Sequence, residues 1–394
     1  MPGALAGIRV LDFGRFIAGP YCAMLLGDLG AEVIRVDRRG GSEDRYLGPV
    51  TAGGEGGLFL NLNRNKRSLA LDPSAAGAAE IIRRLVERTD IVVANLPPAV
   101  IRKMGIDYDS LRKIRREVIL VRITAFGPRG PYAERAGFDA VAQAMSGAMS
   151  LTGFPGRPVR AVVPFEDYGT GLHAAAGALA ALYHRERTGE GQLVDASLLA
   201  TGVTFMQPLL AERQVTGIER RQQGNTGFHS APSDCYQTSD GWIAVVVIGG
   251  PMFSRWARLV GRPEWLEDPP MADDISRANH HPAISEAMSA WCRGRTMAQV
   301  VAELEAARIP CGPVLSLDQV LSDPQVRARH LLRSLPYPGA LEDVPLADTP
   351  VRLSATPGGI RRRAPTLGEH TEEILGELKF RREEIEEFRK SGAV

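Results

Sequence analysis

The sequence is short of several things, and each shortage closes a class of function. Among 394 residues there are only four cysteines, Cys22, Cys235, Cys292 and Cys311. They are scattered and form neither a C-x-x-C pair nor a compact disulfide framework, so reduced thiols in a cytoplasmic protein are expected. Charge of one sign is also missing: 47 Lys and Arg against 46 Asp and Glu leave a formal net charge of +1. With no basic run interleaved with aromatics, nucleic acid is disfavoured as a partner. The longest small apolar run, Ala174 to Leu182, is too short and too rich in Ala and Gly to span a bilayer. Met1 to Gly7 lacks a basic stretch leading into an apolar core, so no secretory signal is read there.

Chemical signatures are missing as well. The seven histidines contain no H-E-x-x-H, and His280 and His281 are adjacent and so diverge; no metal site is expected. There is no G-x-S-x-G elbow for a serine hydrolase and no Gly-Lys pair for a phosphate-binding P-loop. The turn after the first strand, Gly14-Arg15-Phe16-Ile17-Ala18-Gly19, lacks G-x-G-x-x-G, which argues against nicotinamide or flavin even though Asp37 follows a second strand.

What is present is a globular chain, 44% hydrophobic, long enough for two to three domains. Ile8 to Phe13 reads as a strand, Ala18 to Gly27 as a helix with Gly19-Pro20 at its entry, and Glu32 to Val36 as a second strand. That βαβ unit implies a right-handed crossover in a parallel sheet. The alternation continues through strands at Ser68–Leu71, Ile91–Ala94, Val118–Ile123 and Gln192–Ala196, with helices at Ala75–Thr89, Asp139–Met149 and Leu198–Glu212. Near Gly217 the composition changes. Glu219 to Thr226 is linker-like, and Thr238-Ser239-Asp240-Gly241 marks a hairpin between Cys235–Gln237 and Trp242–Ile248. The expected division is residues 1–216, a smaller α+β domain at 217–330, and a return segment at 331–394 ending in helices near Thr371–Glu377 and Arg382–Lys390.

The stretch richest in chemistry is Pro164-Phe165-Glu166-Asp167-Tyr168-Gly169-Thr170-Gly171. Ala161-Val162-Val163 before it reads as the end of a buried strand, and Leu172 to Arg187 after it as a helix. Two carboxylates and two glycines then occupy a tight turn. Asp167 would stand at or just before the helix start, where the dipole favours its ionised form, as a nucleophile needs. The plainer reading, an N-cap, is the commoner fate of such an aspartate. Were the segment extended, Glu166 would face the opposite way and form no dyad with it. His173 reads as a hydrogen-bonded structural residue within reach of Asp167. A second constellation, Arg38, Arg39, Arg45, Arg64, Lys66, Arg67, Arg102 and Lys103, follows strand ends or lies in adjoining loops. Ligands of open α/β sheets sit there, and an anionic ligand or merely a solvated surface would both account for the charges.

Taken in order, these segments resemble the class III CoA-transferase family, which includes formyl-CoA transferase, carnitine CoA-transferases and α-methylacyl-CoA racemases. The resemblance covers nearly the whole chain: Gly7 to Asp12, Ala18-Gly19-Pro20, Leu29 to Ile34, Asn65-Lys66-Arg67-Ser68, Phe126 to Pro131, Arg187 to Gln192, Ile309 to Val314 and Leu367 to Thr371. It implies an α/β fold, a large Rossmann-like domain with a mostly parallel sheet built from both chain ends, a smaller α+β central domain, and an interlocked homodimer. It places the catalytic nucleophile at Asp167 and has Ile17, Ala18, Arg38, Leu71, Asn95, Leu96 and Lys103 line the coenzyme A site. Where formyl-CoA transferase has arginine, Lys103 keeps the charge without the bidentate grip.

The resemblance further implies an acyl-CoA donor and a carboxylate acceptor, with coenzyme A as substrate and no tightly bound cofactor. Phe138, Asp139, Gly224 and Asn225 are candidate substrate-pocket residues. The racemases carry a histidine at the place of Phe138, which cannot move a proton, so transfer is favoured over racemisation; Asp139 is also read as a helix-start residue. Gly224-Asn225-Thr226-Gly227 lacks the consecutive glycines of formyl-CoA transferase, which speaks against oxalate and formate. An acyl-CoA racemase or isomerase and a non-catalytic CoA-binding protein stay open as alternatives.

Overall fold

The computed structural model describes residues 2–394. Six strands form one parallel sheet: β1 (Arg9–Asp12), β2 (Glu32–Asp37), β3 (Lys66–Ala70), β4 (Ile91–Ala94), β5 (Ile119–Thr124) and β6 (Leu193–Ser197), in the spatial order β3-β2-β1-β4-β5-β6. Every neighbouring pair is parallel. The central strand β4 reads as a continuous apolar run because both of its faces are covered, whereas β2, β3, β5 and β6 each carry charged residues as well. Side chains alternate across the sheet. Leu11, Ile34, Val92 and Leu120 join one cluster with Ile81, Ile82 and Leu85 of the Ala78–Val86 helix and with Ile374 and Leu375 of the Thr371–Glu377 helix. Val10, Val33, Ile91, Val93 and Val121 join another with Ala23 and Leu26 of the Ala18–Asp28 helix and Ala174, Ala178 and Ala181 of the Phe165–Thr188 helix. Each buried Val, Leu or Ile side chain among these stabilises the fold by about 1.5–3 kcal/mol, and each Ala by less. Residues from both chain ends therefore close one core.

Strand order reverses direction between β1 and β4, the topological switch point of a doubly wound sheet. Just beyond β1, Phe16 holds a left-handed backbone (φ 59°), unusual for a residue with a side chain. Asn95, just beyond β4, fixes that loop: the Arg15 N–H donates to Asn95 Oδ1 (2.7 Å), and Asn95 Nδ2 donates to the Arg15 carbonyl (2.8 Å).

The chain divides into two compact units, one of residues 1–148, 161–208 and 324–394, the other of 149–160 and 209–323. The second unit contains an antiparallel sheet of Ser233–Gln237, Trp242–Val246 and Cys311–Pro313. Tyr236, Ile243, Val245, Phe253, Trp256, Ile284, Met288, Val300 and Leu304 fill its core. The Thr238–Gly241 turn closes its hairpin, with the Thr238 N–H donating to the Gly241 carbonyl at 2.8 Å. Among the described residues no helix is long and apolar enough to cross a membrane. The four cysteines are free.

One local expectation fails. Ala161 to Val163 is no buried strand; it is an irregular connector whose Val162 is 91% exposed. The helix after it begins earlier than the turn reading allowed, at Phe165. Gly169 and Gly171 thus lie inside a helix. Their function is close packing: a Cβ on Gly171 would stand 2.7 Å from the Ala18 carbonyl oxygen, where the two helices cross.

Candidate active site

The helix start at Phe165 gathers three carboxyl groups. Asp167 is the third residue of the helix, not its cap; the cap position is Pro164, which has no side-chain bond to offer. The cap is supplied from elsewhere. Asp139 Oδ1 accepts from the backbone N–H of Glu166 (3.0 Å) and of Asp167 (3.3 Å). Asp139 opens the Asp139–Met145 helix, so its helix-start role is real but serves another helix. Its second oxygen accepts from Gln143 Nε2 at 2.6 Å, and Gln143 Oε1 in turn accepts from the Ala161 N–H at 3.0 Å.

Glu166 is fully buried. Ser146 Oγ donates to its Oε1 (2.7 Å), while Oε2 has no partner. Gly202 must lack a side chain here, because a Cβ would collide with the Glu166 carboxyl. Consecutive helical residues do not face one another, and Glu166 acts on Asp167 through its charge. Burial, the Asp139 charge and Glu166 together raise the Asp167 carboxyl from its ordinary 3.8 to about 7. Burial and Asp139, opposed by the Ser146 bond, raise Glu166 from 4.5 to about 7. The dipole argument for an easily ionised Asp167 is therefore overturned: desolvation and two like charges outweigh one helix end. His173 turns its Nδ1 to Thr201 Oγ1 (3.3 Å).

The second element is a cavity of about 420 Å³ beyond the carboxyl ends of the strands. Arg38, Arg39 and Lys103 supply positive charge to it, and Leu71 and Leu96 supply apolar wall. Four of the expected coenzyme-site residues (Arg38, Leu71, Leu96 and Lys103) are thus brought together. The other three are not on its wall. Ile17 and Ala18 are buried in the apolar clusters behind, and Asn95 spends its amide on Arg15.

The proposed basic constellation also breaks up. Arg45 pairs with Asp37 (2.9 Å), Arg64 with Asp28 (2.6 Å), Lys66 with Asp12 (2.7 Å) and Arg67 with Glu373 (2.6 Å), all with the cation buried. Buried cations need partners, so these four are structural. Sequence reading missed Arg15 and Arg35. Arg15 lines the cavity, and burial together with Arg35 lowers its guanidinium to about 10. Arg35 ties Asp37 (2.9 Å), Asp44 (2.8 Å) and the Gly14 carbonyl (3.2 Å) into one network. A lone basic residue in an apolar strand, Arg35 in Glu32–Asp37, was the available signal for it.

One loop touches both elements. Arg15 faces the cavity, while Phe16 meets Phe138 edge-on at 5.2 Å, next to Asp139. Five residues after Phe16, Tyr21 packs against Tyr168 at 4.9 Å. Phe138 is 57% exposed and carries no ionisable group. Gly224 and Asn225 belong to the second unit, where the Gly224 N–H donates to the Gly153 carbonyl at 2.8 Å and Asn225 is exposed.

Residues 5–371 match the family described as CoA-transferase family III. The chain belongs to CoA-transferase family III. It is 34% identical over 380 residues to succinyl-CoA–D-citramalate CoA-transferase of Chloroflexus aurantiacus, covering 96% of this chain and 94% of that one. It is 33% identical to mouse succinyl-CoA:glutarate CoA-transferase, covering 99% and 90%. A CaiB/BaiF family protein from Brucella suis, solved as a crystal structure, superposes with a TM-score of 0.85 at 33% identity, covering 96% of this chain and all of that one. The fold and the CoA-transferase activity class thus go together in this family member.

Proposed function

We propose that this enzyme moves coenzyme A from a succinyl-CoA-type donor to a second dicarboxylic acid, with Asp167 as the nucleophile. The observation that carries the reading is the Asp167 carboxyl itself: half-buried, at a fixed helix start, and held near neutrality by its neighbours. A carboxylate raised toward the working pH is a stronger nucleophile once ionised. Relatives named as succinyl-CoA transferases to citramalate and glutarate support dicarboxylates as the substrate class.

In the first step an Asp167 carboxylate oxygen attacks the donor thioester carbonyl. The C–S bond breaks, leaving an aspartyl–acyl anhydride and CoA thiolate. The thiolate then attacks the Asp167 carbonyl carbon, the anhydride C–O bond breaks, and the donor acid departs as carboxylate. The acceptor carboxylate attacks the resulting aspartyl thioester and again frees the thiolate. That thiolate takes the acceptor acyl group and restores Asp167. In this reading Arg38, Arg39 and Lys103 hold the CoA phosphates, and Leu71 and Leu96 flank its apolar parts.

A homodimer and a cytoplasmic setting are part of the proposal. Support for the first is the apolar exposure of Leu172 (54%) and Tyr183 (66%) on the Phe165–Thr188 helix. Support for the second is the four free cysteines.

The test is incubation with succinyl-CoA and a panel of dicarboxylic acids, followed by mass analysis of the CoA esters. Acceptor-dependent exchange should fall by on the order of 10⁴-fold or more in Asp167→Ala, the scale seen when a covalent nucleophile is removed. Undiminished exchange in that variant, or α-proton exchange without any acceptor, would remove the proposal.

A further inference from the structure

A second cavity, of about 380 Å³, opens at the opposite, amino end of the same sheet. Its wall includes the starts of β1, β2 and β3 and carries five arginines: Arg9, Arg67, Arg88, Arg361 and Arg362. Their partners divide them into two groups. Arg9 and Arg67 share the carboxylates of Glu32, Glu373 and Glu377. Arg88 and Arg361 have only backbone oxygens, the Glu377 carbonyl (2.6 Å) and the Gly27 carbonyl (2.6 Å) respectively. The Arg362 guanidinium has no ion-pair or hydrogen-bond partner among the described residues. Three guanidinium groups thus face one cavity with no carboxylate hydrogen-bonded to them, although Glu32, held by Arg9 and Arg67, also lines the wall.

Their placement is built, not a chance of long side chains. Asn65, which also lines the cavity, adopts a left-handed backbone (φ 61°). Its Oδ1 accepts from the backbone N–H of both Arg361 (2.6 Å) and Arg362 (3.1 Å), and its own N–H donates to the Arg362 carbonyl (3.1 Å). Its Nδ2 is anchored on Asp28 Oδ1 (2.8 Å) and the Gly359 carbonyl (2.9 Å). One residue therefore clamps the arginine pair against the start of β3. Burial and the neighbouring Arg362 charge both disfavour the Arg361 cation, with Asp28 opposing them. Like charges held side by side are a cost that a bound anion would remove.

We propose that this cavity is a second anion site, for a small molecule with two or more phosphate or carboxylate groups. Arginine forks grip such oxyanions through paired N–H bonds, and the volume falls within the range of small-ligand pockets. The site lies at the end of the sheet opposite the Lys103 cavity and takes no part in the transfer steps above.

Calorimetric titration of the full chain with pyrophosphate, and separately with citrate, tests it. One of the two should bind with a Kd that weakens at least tenfold in Arg88→Gln/Arg362→Gln and holds within twofold in Lys103→Gln. Whichever probe binds more tightly names the phosphate or the carboxylate class. If the double variant does not fold, Arg362→Gln alone serves, because its exposed side chain leaves no buried partner behind; a threefold or greater loss is then expected. Absence of saturable binding by either probe, affinity unchanged in the arginine variants, or a loss seen only in Lys103→Gln would overturn the site. CoA exchange by the unsubstituted protein and by Arg362→Gln is assayed separately, so failure of this site is distinct from failure of the transferase reading.

Discussion

Two groups of buried acids in the larger unit received opposite treatment. Asp12 and Asp37 lie beneath the β1–β3 strand ends with a cation for each: Lys66 on Asp12, and Arg35 and Arg45 on Asp37. Burial pushes their pKa values up, but the cations outweigh it; Asp12 ends below its ordinary value and Asp37 at about 2. Glu166 and Asp167 are desolvated beside Asp139, and no cation enters the balance that raises both to about 7. The same side-chain type is held ionised in one place and kept easily protonated in the other. The difference is the supply of counter-charge, since burial is common to both.

The largest expected effect breaks the paired side of the contrast. Lys66→Met leaves Asp12 buried without its cation and should cost about 3–5 kcal/mol of stability, read from urea unfolding at neutral pH. A loss below about 1 kcal/mol would mean that the pair is a bystander.

The pH dependence of stability should then separate the two groups by sign. Asp37 is lower in the folded state than its ordinary 3.8, so its stabilisation is full above that value and is lost as pH falls toward about 2. Glu166 and Asp167 are higher in the folded state than their ordinary 4.5 and 3.8. Their unfavourable contribution therefore grows as pH rises from those values and is complete above about 7. Denaturant midpoints measured across that range should decline with rising pH, less steeply in Asp167→Ala. An equal slope in both proteins would contradict the raised carboxyl.

Asp139→Asn sharpens the comparison further. Asn keeps the oxygen that caps the helix N–H groups but removes the charge. The acid limb of the kcat/KM profile, expected near pH 7 from the Asp167 value, should move down by about one unit. A capping role alone would leave that limb in place. Smallest of all is Lys103→Gln at the cavity: loss of one exposed charge should raise KM for the CoA ester roughly fivefold, about 1 kcal/mol, with kcat unchanged. An unaltered KM at low salt would take Lys103 off the CoA path.

Much of the fold was legible because its signals are local. The Ile91–Ala94 strand, the Asp-Gly hairpin and the Thr371–Glu377 helix each follow from periodicity or turn chemistry within ten residues. Ala161-Val162-Val163 was misread for the same reason. Three apolar residues look like a strand end, and nothing nearby says that no neighbouring strand pairs with them. The basic constellation misled differently: Arg45, Arg64, Lys66 and Arg67 follow strand ends as ligand-gripping residues do, yet their acids come from Asp37, Asp28, Asp12 and Glu373, up to 306 residues away.

From the sequence alone came the alternation of strands and helices, the ordered motifs that mark the family, and Asp167 as the residue to watch. Those depend on residue type and spacing, which a linear chain displays. Tertiary structure alone decided that Asp139 reaches across to cap the Asp167 helix, that Glu166 is sealed with one oxygen unpartnered, and which of the basic side chains face open cavities. A charge acquires its energy from whatever is folded against it, and that neighbour is rarely adjacent in the chain.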